Sequence, residues 1–324
     1  MMKEINDVTP TALSHVACES NRGVIEQCRI AIDAAFEDNR RLDDILLTGP
    51  PGVGKSSLSY VLAQEMAVHF HEVLGQNLRS AADLNNLLLS CEPKAICLID
   101  EIHEAQPCIQ TALYMALDKR QIMVRGGSTV QALPVADFTL IAATTEPYQI
   151  LEPLRQRAKL HLELSFLTEH DLTVVVERRC RSLSWDIEPA VLPEIACRAR
   201  GVPRLALRLT ASARRVTRAD SRTLITVADL ERACDLEQLD NLGLGPLEQR
   251  YLRLLIEGPR RVNVLASALG VPAKTLTSVT EPFLIRAQLV DKDDASRRVL
   301  TPKGRRHVLQ DRTEIDQPPP SEAS

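Results

Sequence analysis

Aromatic residues are scarce in this chain of 324: one Trp, four Tyr and five Phe. With Trp185 alone of its kind, and few aromatics toward the C-terminus, stacking of bases on aromatic platforms is not the expected way to hold a nucleic acid. No apolar run approaches the length that spans a bilayer. The opening Met1-Met2-Lys3-Glu4-Ile5-Asn6-Asp7 does not read as a signal peptide, so the expected location is the cytoplasm, with no membrane partner. The eight cysteines form no C-x-x-C pair, which argues against a zinc site or a disulfide framework and for small buried thiols. Long repeats and heptads are also missing.

Strong net charge is absent too, but the overall −4 conceals an uneven distribution. Residues 241–310 carry twelve Lys/Arg against six Asp/Glu, the tail 311–324 is net acidic, and residues 1–240 balance at −7. A basic module attached to an acidic one suggests a polyanionic partner for the C-terminal part.

What the chain does contain is the run Gly49-Pro50-Pro51-Gly52-Val53-Gly54-Lys55-Ser56. It follows the apolar Ile45-Leu46-Leu47, which reads as a buried strand, and precedes Leu58–Ala63, which reads as a helix. Strand, glycine-rich turn and helix form a phosphate cradle: backbone N–H groups converge on one anion, and the helix N-terminus points its partial positive charge there. Gly49, Pro51, Gly52, Gly54, Lys55, Ser56 and Ser57 are the expected nucleotide contacts. Lys55 is placed to reach the outer phosphates and the Ser56 hydroxyl to ligate magnesium.

Helical spacing marks residues 24–37, 81–89 and 109–117. Ala95–Ile99 and Phe138–Ala143 read as buried parallel strands. Ile122-Met123-Val124 and Val130–Leu133 flank Arg125-Gly126-Gly127-Ser128 as a β-hairpin. Strands alternating with helices predict a doubly wound α/β domain over 1–169, with its ligand at the C-terminal strand ends. Residues 170–240 read as an all-helical domain broken at Gly201-Val202-Pro203, residues 241–310 as a further module, and 311–324 as a disordered tail.

Three more constellations carry chemistry. Leu98-Ile99-Asp100-Glu101 closes an apolar strand. There Asp100 would hold magnesium beside Ser56, and Glu101 would orient and deprotonate the attacking water. Thr144-Thr145 also stand at a strand end, as γ-phosphate contacts or simply as strand-ending threonines. Arginines follow, at Arg155 and Arg157 and then at Arg204. The first pair could serve a neighbouring subunit's nucleotide, and Arg204 could reach back to the γ-phosphate.

The order G-P-P-G-V-G-K-S, L-I-D-E-I-H, A-A-T-T, P-L-R-Q-R, A-R-G-V-P-R resembles the AAA+ ATPases, and more narrowly the RuvB family of Holliday-junction branch-migration motors, over roughly residues 40–306. The resemblance implies an AAA+ P-loop domain, an all-α lid and a winged-helix head. It implies ATP and Mg2+ as cofactors, Lys55 and Ser56 as the Walker A pair, and Asp100 and Glu101 as the Walker B pair. Thr145 takes the place of the first sensor, Arg204 of the second, and Arg157 of an arginine finger, with Arg155 its close competitor. It further implies a homo-hexameric ring, duplex arms of a four-way DNA junction and a RuvA-like partner docked at the hairpin around Arg125–Ser128. The chain departs from the family around the base: only Pro10 remains of an Arg-Pro string, Leu167 replaces an aromatic, and Ala158-Lys159 and Asp118-Lys119-Arg120 are unlike the usual strings.

Val264–Leu276 has helix-turn-helix spacing with Ala266 inside and Gly270 at the turn, and Leu289-Val290 can pair with Arg298–Leu300 as a wing. The resemblance places Lys292 and Arg297 on the DNA backbone, beside an acidic tip at Asp293-Asp294. A winged helix can instead bind protein. The alternatives are therefore a divergent ATPase that remodels or loads a protein on DNA, and a nucleotide-gated regulator with little turnover.

Overall fold

The computed structural model describes residues 10–126 and 129–315. Its packing divides into two compact units. One takes in the chain through Ile187 together with Gly201–Ala211; the other takes in Glu188–Arg200 and the chain from Ser212 onward.

The first unit is built on β1 (Ile45–Thr48), β2 (Phe70–Leu74), β3 (Ile96–Asp100), a hairpin of β4 (Gln121–Gly126) and β5 (Thr129–Pro134), then β6 (Thr139–Thr144) and β7 (Leu160–Glu163). Five of these form one parallel sheet in the order β2-β3-β6-β1-β7. The central strands are apolar on both faces because helices cover both. Ile45, Leu47, Ile96, Leu98, Ile141 and Ala143 pack with the helices Arg22–Glu37 and Lys55–Glu65. The alternate residues Leu46, Cys97, Ile99, Leu140 and Ala142 pack on the other side with Ala81–Ser90 and Pro107–Lys119. The doubly wound α/β expectation is met, but it had no β2 or β7. Both are edge strands whose polar residues, His71 and Glu72 in one, His161 and Glu163 in the other, interrupt the apolar signal. The hairpin pairs Gln121–Gly126 with Thr129–Pro134, so Arg125 and Gly126, expected in the turn, belong to β4, and Gly127-Ser128 lie outside the described residues.

Helices Glu169–Leu183, Val191–Arg198, Pro203–Ala219 and Val227–Leu236 make up the all-helical stretch. Two begin with side-chain caps: Thr168 accepts from the Asp171 amide, and Thr226 and Asp229 form a reciprocal capping box.

Beyond them, helix Val262–Leu269 ends at Gly270 with φ 71°, and buried Ala266 packs inside, as the spacing predicts. The second helical segment, Ala273–Arg286, contains a π-turn at Leu276–Thr280, and Pro282 sits in the first turn of the helix Glu281–Arg286 that follows, where a missing N–H is tolerated. The wing is β8 (Val290–Lys292) paired antiparallel with β9 (Arg298–Leu300), and Arg260 bridges to Arg298 on the other side. The final helix runs to Ile315, past the start of the segment expected to be a disordered tail; residues 316–324 lie outside the described residues.

A buried ion pair fixes this module. Arg298 donates from Nε and Nη2 to the two Glu281 oxygens at 2.8 and 3.0 Å, and the Tyr251 hydroxyl donates to Glu281 Oε1 at 2.9 Å. Burial and the adjacent carboxylate push the Tyr251 hydroxyl well above its usual pKa, so it remains a donor. Glu281→Gln would strand the Arg298 charge. We expect it to cost about 3–5 kcal/mol of stability in this unit, read as a lowered transition in thermal or urea unfolding of the full chain.

Candidate functional site

The loop between β1 and helix Lys55–Glu65 folds as the spacing of its glycines predicts, with Gly49, Gly52 and Gly54 all at positive φ. Gly52 is needed for space as well as conformation. Its φ is +78°, and a Cβ there would sit 2.8 Å from Val202 Cγ1 and 3.2 Å from Arg204 Cβ. The Lys55 ammonium is buried and donates to the carbonyls of Gly49 at 2.9 Å and Pro50 at 3.1 Å. Burial lowers its pKa, with Glu101 and Asp100 opposing and the Arg204 cation adding to the fall. A buried cation resting on its own loop's carbonyls can exchange them for phosphate oxygens, which are stronger acceptors.

β3 delivers the carboxylates. Ser56 Oγ donates to Asp100 Oδ2 at 2.7 Å, so the expected magnesium ligands are already neighbours, and hydroxyl and carboxylate oxygens are the donor set that Mg2+ takes. Asp100 Oδ1 accepts the Glu101 amide at 3.0 Å. Glu101 itself is left-handed (φ 47°, ψ 50°), a conformation that costs energy in a non-glycine residue and turns the side chain back over the loop. Gly75, just after β2, makes room for it: a Cβ on Gly75 would run into the Glu101 carbonyl oxygen. The Glu101 carboxylate points both ways. Oε1 lies 3.9 Å from Lys55 Nζ; Oε2 accepts from Thr145 N at 3.0 Å and Thr145 Oγ1 at 3.1 Å. Of the two threonines ending β6, Thr145 meets Glu101, and Thr144, fully buried, accepts the Glu146 amide at 2.9 Å.

The three arginines separate. Arg204 stands at the phosphate loop, its amide donating to Gly52 O at 3.3 Å. Arg157 does not reach this loop. It ends the helix Glu152–Arg157, and its Nη2 meets Leu117 O at 3.3 Å and lies 3.8 Å from the buried Asp44. Asp44 precedes β1 and the phosphate loop follows it, so the length of the strand, about 13 Å, lies between them. Arg157 Nε is buried with no hydrogen-bond partner among the described residues, leaving its guanidinium incompletely satisfied. Arg155 is matched already, paired with Glu152 and stacked over the exposed Tyr148 ring at 5.9 Å.

Beside the loop lies a cavity of about 750 Å³, lined by Gly54 and Ser57 and by Pro10, Leu167, Arg178 and Leu207 among others. Pro10 and Leu167 thus do border a space large enough for a nucleoside next to the phosphate cradle. Arg178 is fixed across it by donating to Ser14 O at 3.3 Å and Ala17 O at 2.7 Å. Asp118-Lys119-Arg120 is elsewhere: Arg120 pairs with Asp137 at 2.9 Å and covers the Phe138 ring. On the wing, Lys292 is exposed, while Arg297 is tied to Asp293, Nε to Oδ2, at 2.7 Å. Asp293 also accepts the amides of Ala295 and Arg297, so the acidic tip shapes the turn.

Sequence reasoning missed Gly75, His103 and Arg178. Gly75 follows a strand it did not see. His103 lies in the quoted string L-I-D-E-I-H but was given no role; its position two residues beyond Glu101 was the available signal. Nothing in the pattern brings Arg178, from the helix Glu169–Leu183, to the cavity beside the loop.

Comparison with known proteins bears on most of the chain, from residue 8 to residue 309. Residues 8–164 match the Holliday junction DNA helicase RuvB P-loop domain, 167–240 the RuvB AAA lid domain and 241–309 the RuvB C-terminal winged helix domain. The Holliday junction branch migration complex subunit RuvB of Pseudothermotoga lettingae is 36% identical over 284 residues, covering 85% of this chain and 80% of that protein. The protein of the same name from Kosmotoga olearia is 34% identical over 295 residues, 89% of this chain and 86% of that one. The solved structure of the Thermotoga maritima RuvB Holliday junction branch migration motor superposes with a TM-score of 0.80 at 31% identity, covering 93% of this chain and 97% of the other.

Proposed function

This chain belongs to the RuvB family of AAA+ ATPases, and from that footing we propose that it is an ATP-driven motor acting on four-way junction DNA. The observation that carries the reading is the meeting of Lys55, the Ser56–Asp100 pair and the Thr145-anchored Glu101 around one glycine-rich loop. In this reading Gly49, Pro51, Gly52, Gly54, Lys55, Ser56 and Ser57 bind the phosphates of ATP, and the neighbouring cavity takes the nucleoside. Ser56 and Asp100 would hold Mg2+, which when bound supplies neutralisation of phosphate charge.

Glu101 Oε1, on the Lys55 side of the carboxylate, takes the proton of the attacking water, while Thr145 holds Oε2 and so registers the state of the site. Arg204, next to Gly52, reports that state to the chain that follows. Arg157, facing away from its own loop, completes the site of a neighbouring copy. Such a head-to-tail contact makes a ring where its rotation closes, and the homo-hexamer is the closed form we propose.

The winged-helix module is the DNA contact, with Lys292 and Arg297 on the phosphate backbone. Such contacts suit translocation because every step presents the same phosphates. A RuvA-like junction-binding protein is the proposed partner of the β4–β5 hairpin, where Met123 is exposed. The proposed location is the cytoplasm; among the described residues no helix is long and apolar enough to cross a membrane.

Measuring ATP turnover with and without four-way junction DNA tests the reading. Stimulation by the junction is expected. Turnover that ignores DNA would sink the motor, and no turnover at all would favour a nucleotide-gated regulator. Replacing Lys292 and Arg297 by Ala should weaken binding alike on all sequences and reduce the slope of log affinity against log salt by about one per lost contact. An unchanged slope would remove the wing from the interface.

A further inference from the structure

We propose that His103 is a positioning residue for hydrolysis: its Nδ1–H completes the anchoring of Glu101 Oε2 and so fixes Oε1 as the oxygen that meets the water. His103 lies in the short 3-10 turn after β3, and its side chain is largely buried. Nδ1 is 2.9 Å from Thr144 Oγ1 and 3.3 Å from Glu101 Oε2.

The surroundings select the tautomer. The Glu101 carboxylate is an acceptor, and an unprotonated Nδ1 would set a lone pair against it. A proton on Nδ1 can be shared between that carboxylate and the Thr144 hydroxyl oxygen, which has lone pairs for both the Glu146 amide and the imidazole. Glu101 Oε2 then faces three donors, Thr145 N–H, Thr145 Oγ1–H and His103 Nδ1–H. Among the described residues, Oε1 has Lys55 Nζ beside it at 3.9 Å. The left-handed backbone of Glu101 aims the carboxylate at the loop but leaves its rotation to these donors. His103 also joins the two threonines, because it touches Thr144 directly and Thr145 through the shared carboxylate.

The kinetic arm of the test rests on the ATPase reading above; a second arm does not. In steady-state kinetics, His103→Ala should lower kcat for ATP by about tenfold or more, since misplacement of a reacting group by about 1 Å costs about a hundredfold. KM and the affinity for a fluorescent ATP analogue should stay within a factor of about two, because uniform binding is untouched. His103→Asn, whose amide nitrogen overlays Nδ1, should recover most of the loss. A purely structural histidine would instead give lowered thermal stability with kcat unchanged, or a loss that Asn does not repair; either result overturns the proposal. Independently, long-range 1H–15N correlation spectra, with the His103 signals assigned by their absence in His103→Asn, should show Nδ1 protonated. A neutral ring protonated at Nε2 overturns the proposal whether or not the protein hydrolyses ATP. If the wild type has no turnover, the ATPase reading and the role of His103 in hydrolysis fail together, and the tautomer tests only whether Nδ1–H anchors Glu101 Oε2.

Discussion

Glu101→Gln is expected to lower kcat for ATP by about 10²–10⁴-fold, the contribution of a well-placed general base, while leaving nucleotide affinity close to that of the wild type. The argument is geometric. An amide keeps an oxygen for the Thr145 donors and keeps the shape of the side chain, so the loop, Lys55 and the Ser56–Asp100 pair are undisturbed. What disappears is the basic oxygen on the Lys55 side. Single-turnover hydrolysis together with equilibrium binding separates the two effects. A variant that binds poorly would place Glu101 in the cradle, and one that hydrolyses normally would remove it from the chemistry.

That much of the site could be read from residue types and order. Gly49 to Ser56 announce themselves because a phosphate cradle needs backbone freedom and one cation in a fixed order, and the order survives without any knowledge of the fold. Asp100-Glu101 were legible because a wholly apolar central strand ends in two charges. The central β1, β3 and β6 were legible for the same reason: strands covered on both faces carry an unbroken apolar signal. Edge strands do not, and β2 and β7 passed unseen with His71, Glu72, His161 and Glu163 in them. Gly75 went with β2, since its use is to lie against the Glu101 backbone in the folded chain. His103 was on the page as a letter, but its chemistry depends on Thr144, which only the pairing of β3 with β6 brings near. The basic wing was visible as composition; that Arg297 is held by Asp293 was not.

Arg157→Ala should reduce ATP turnover by about 10³–10⁵-fold if Arg157 acts as an arginine finger, with weak effect on nucleotide binding by a single subunit. Its place beside Asp44, at the opposite end of β1 from its own phosphate loop, makes loss of activity hard to explain within one chain. Arg155→Ala is the control. Arg155 is already paired with Glu152 and stacked on Tyr148, so its removal should cost much less. The reverse ranking would transfer the finger to Arg155.

The central claim is that the fuel site, with Gly49 to Ser56 on one side, is completed by Arg157 of another copy. Mixing equal amounts of Glu101→Gln and Arg157→Ala protein under assembly conditions tests it directly. Each variant alone is expected to be close to inactive. In a randomly mixed ring, roughly a quarter of the interfaces pair an intact Glu101 with an intact Arg157, so turnover should reappear at a substantial fraction of the wild-type rate. If the mixture is no more active than the two variants measured apart, the site is not shared and the account is contradicted.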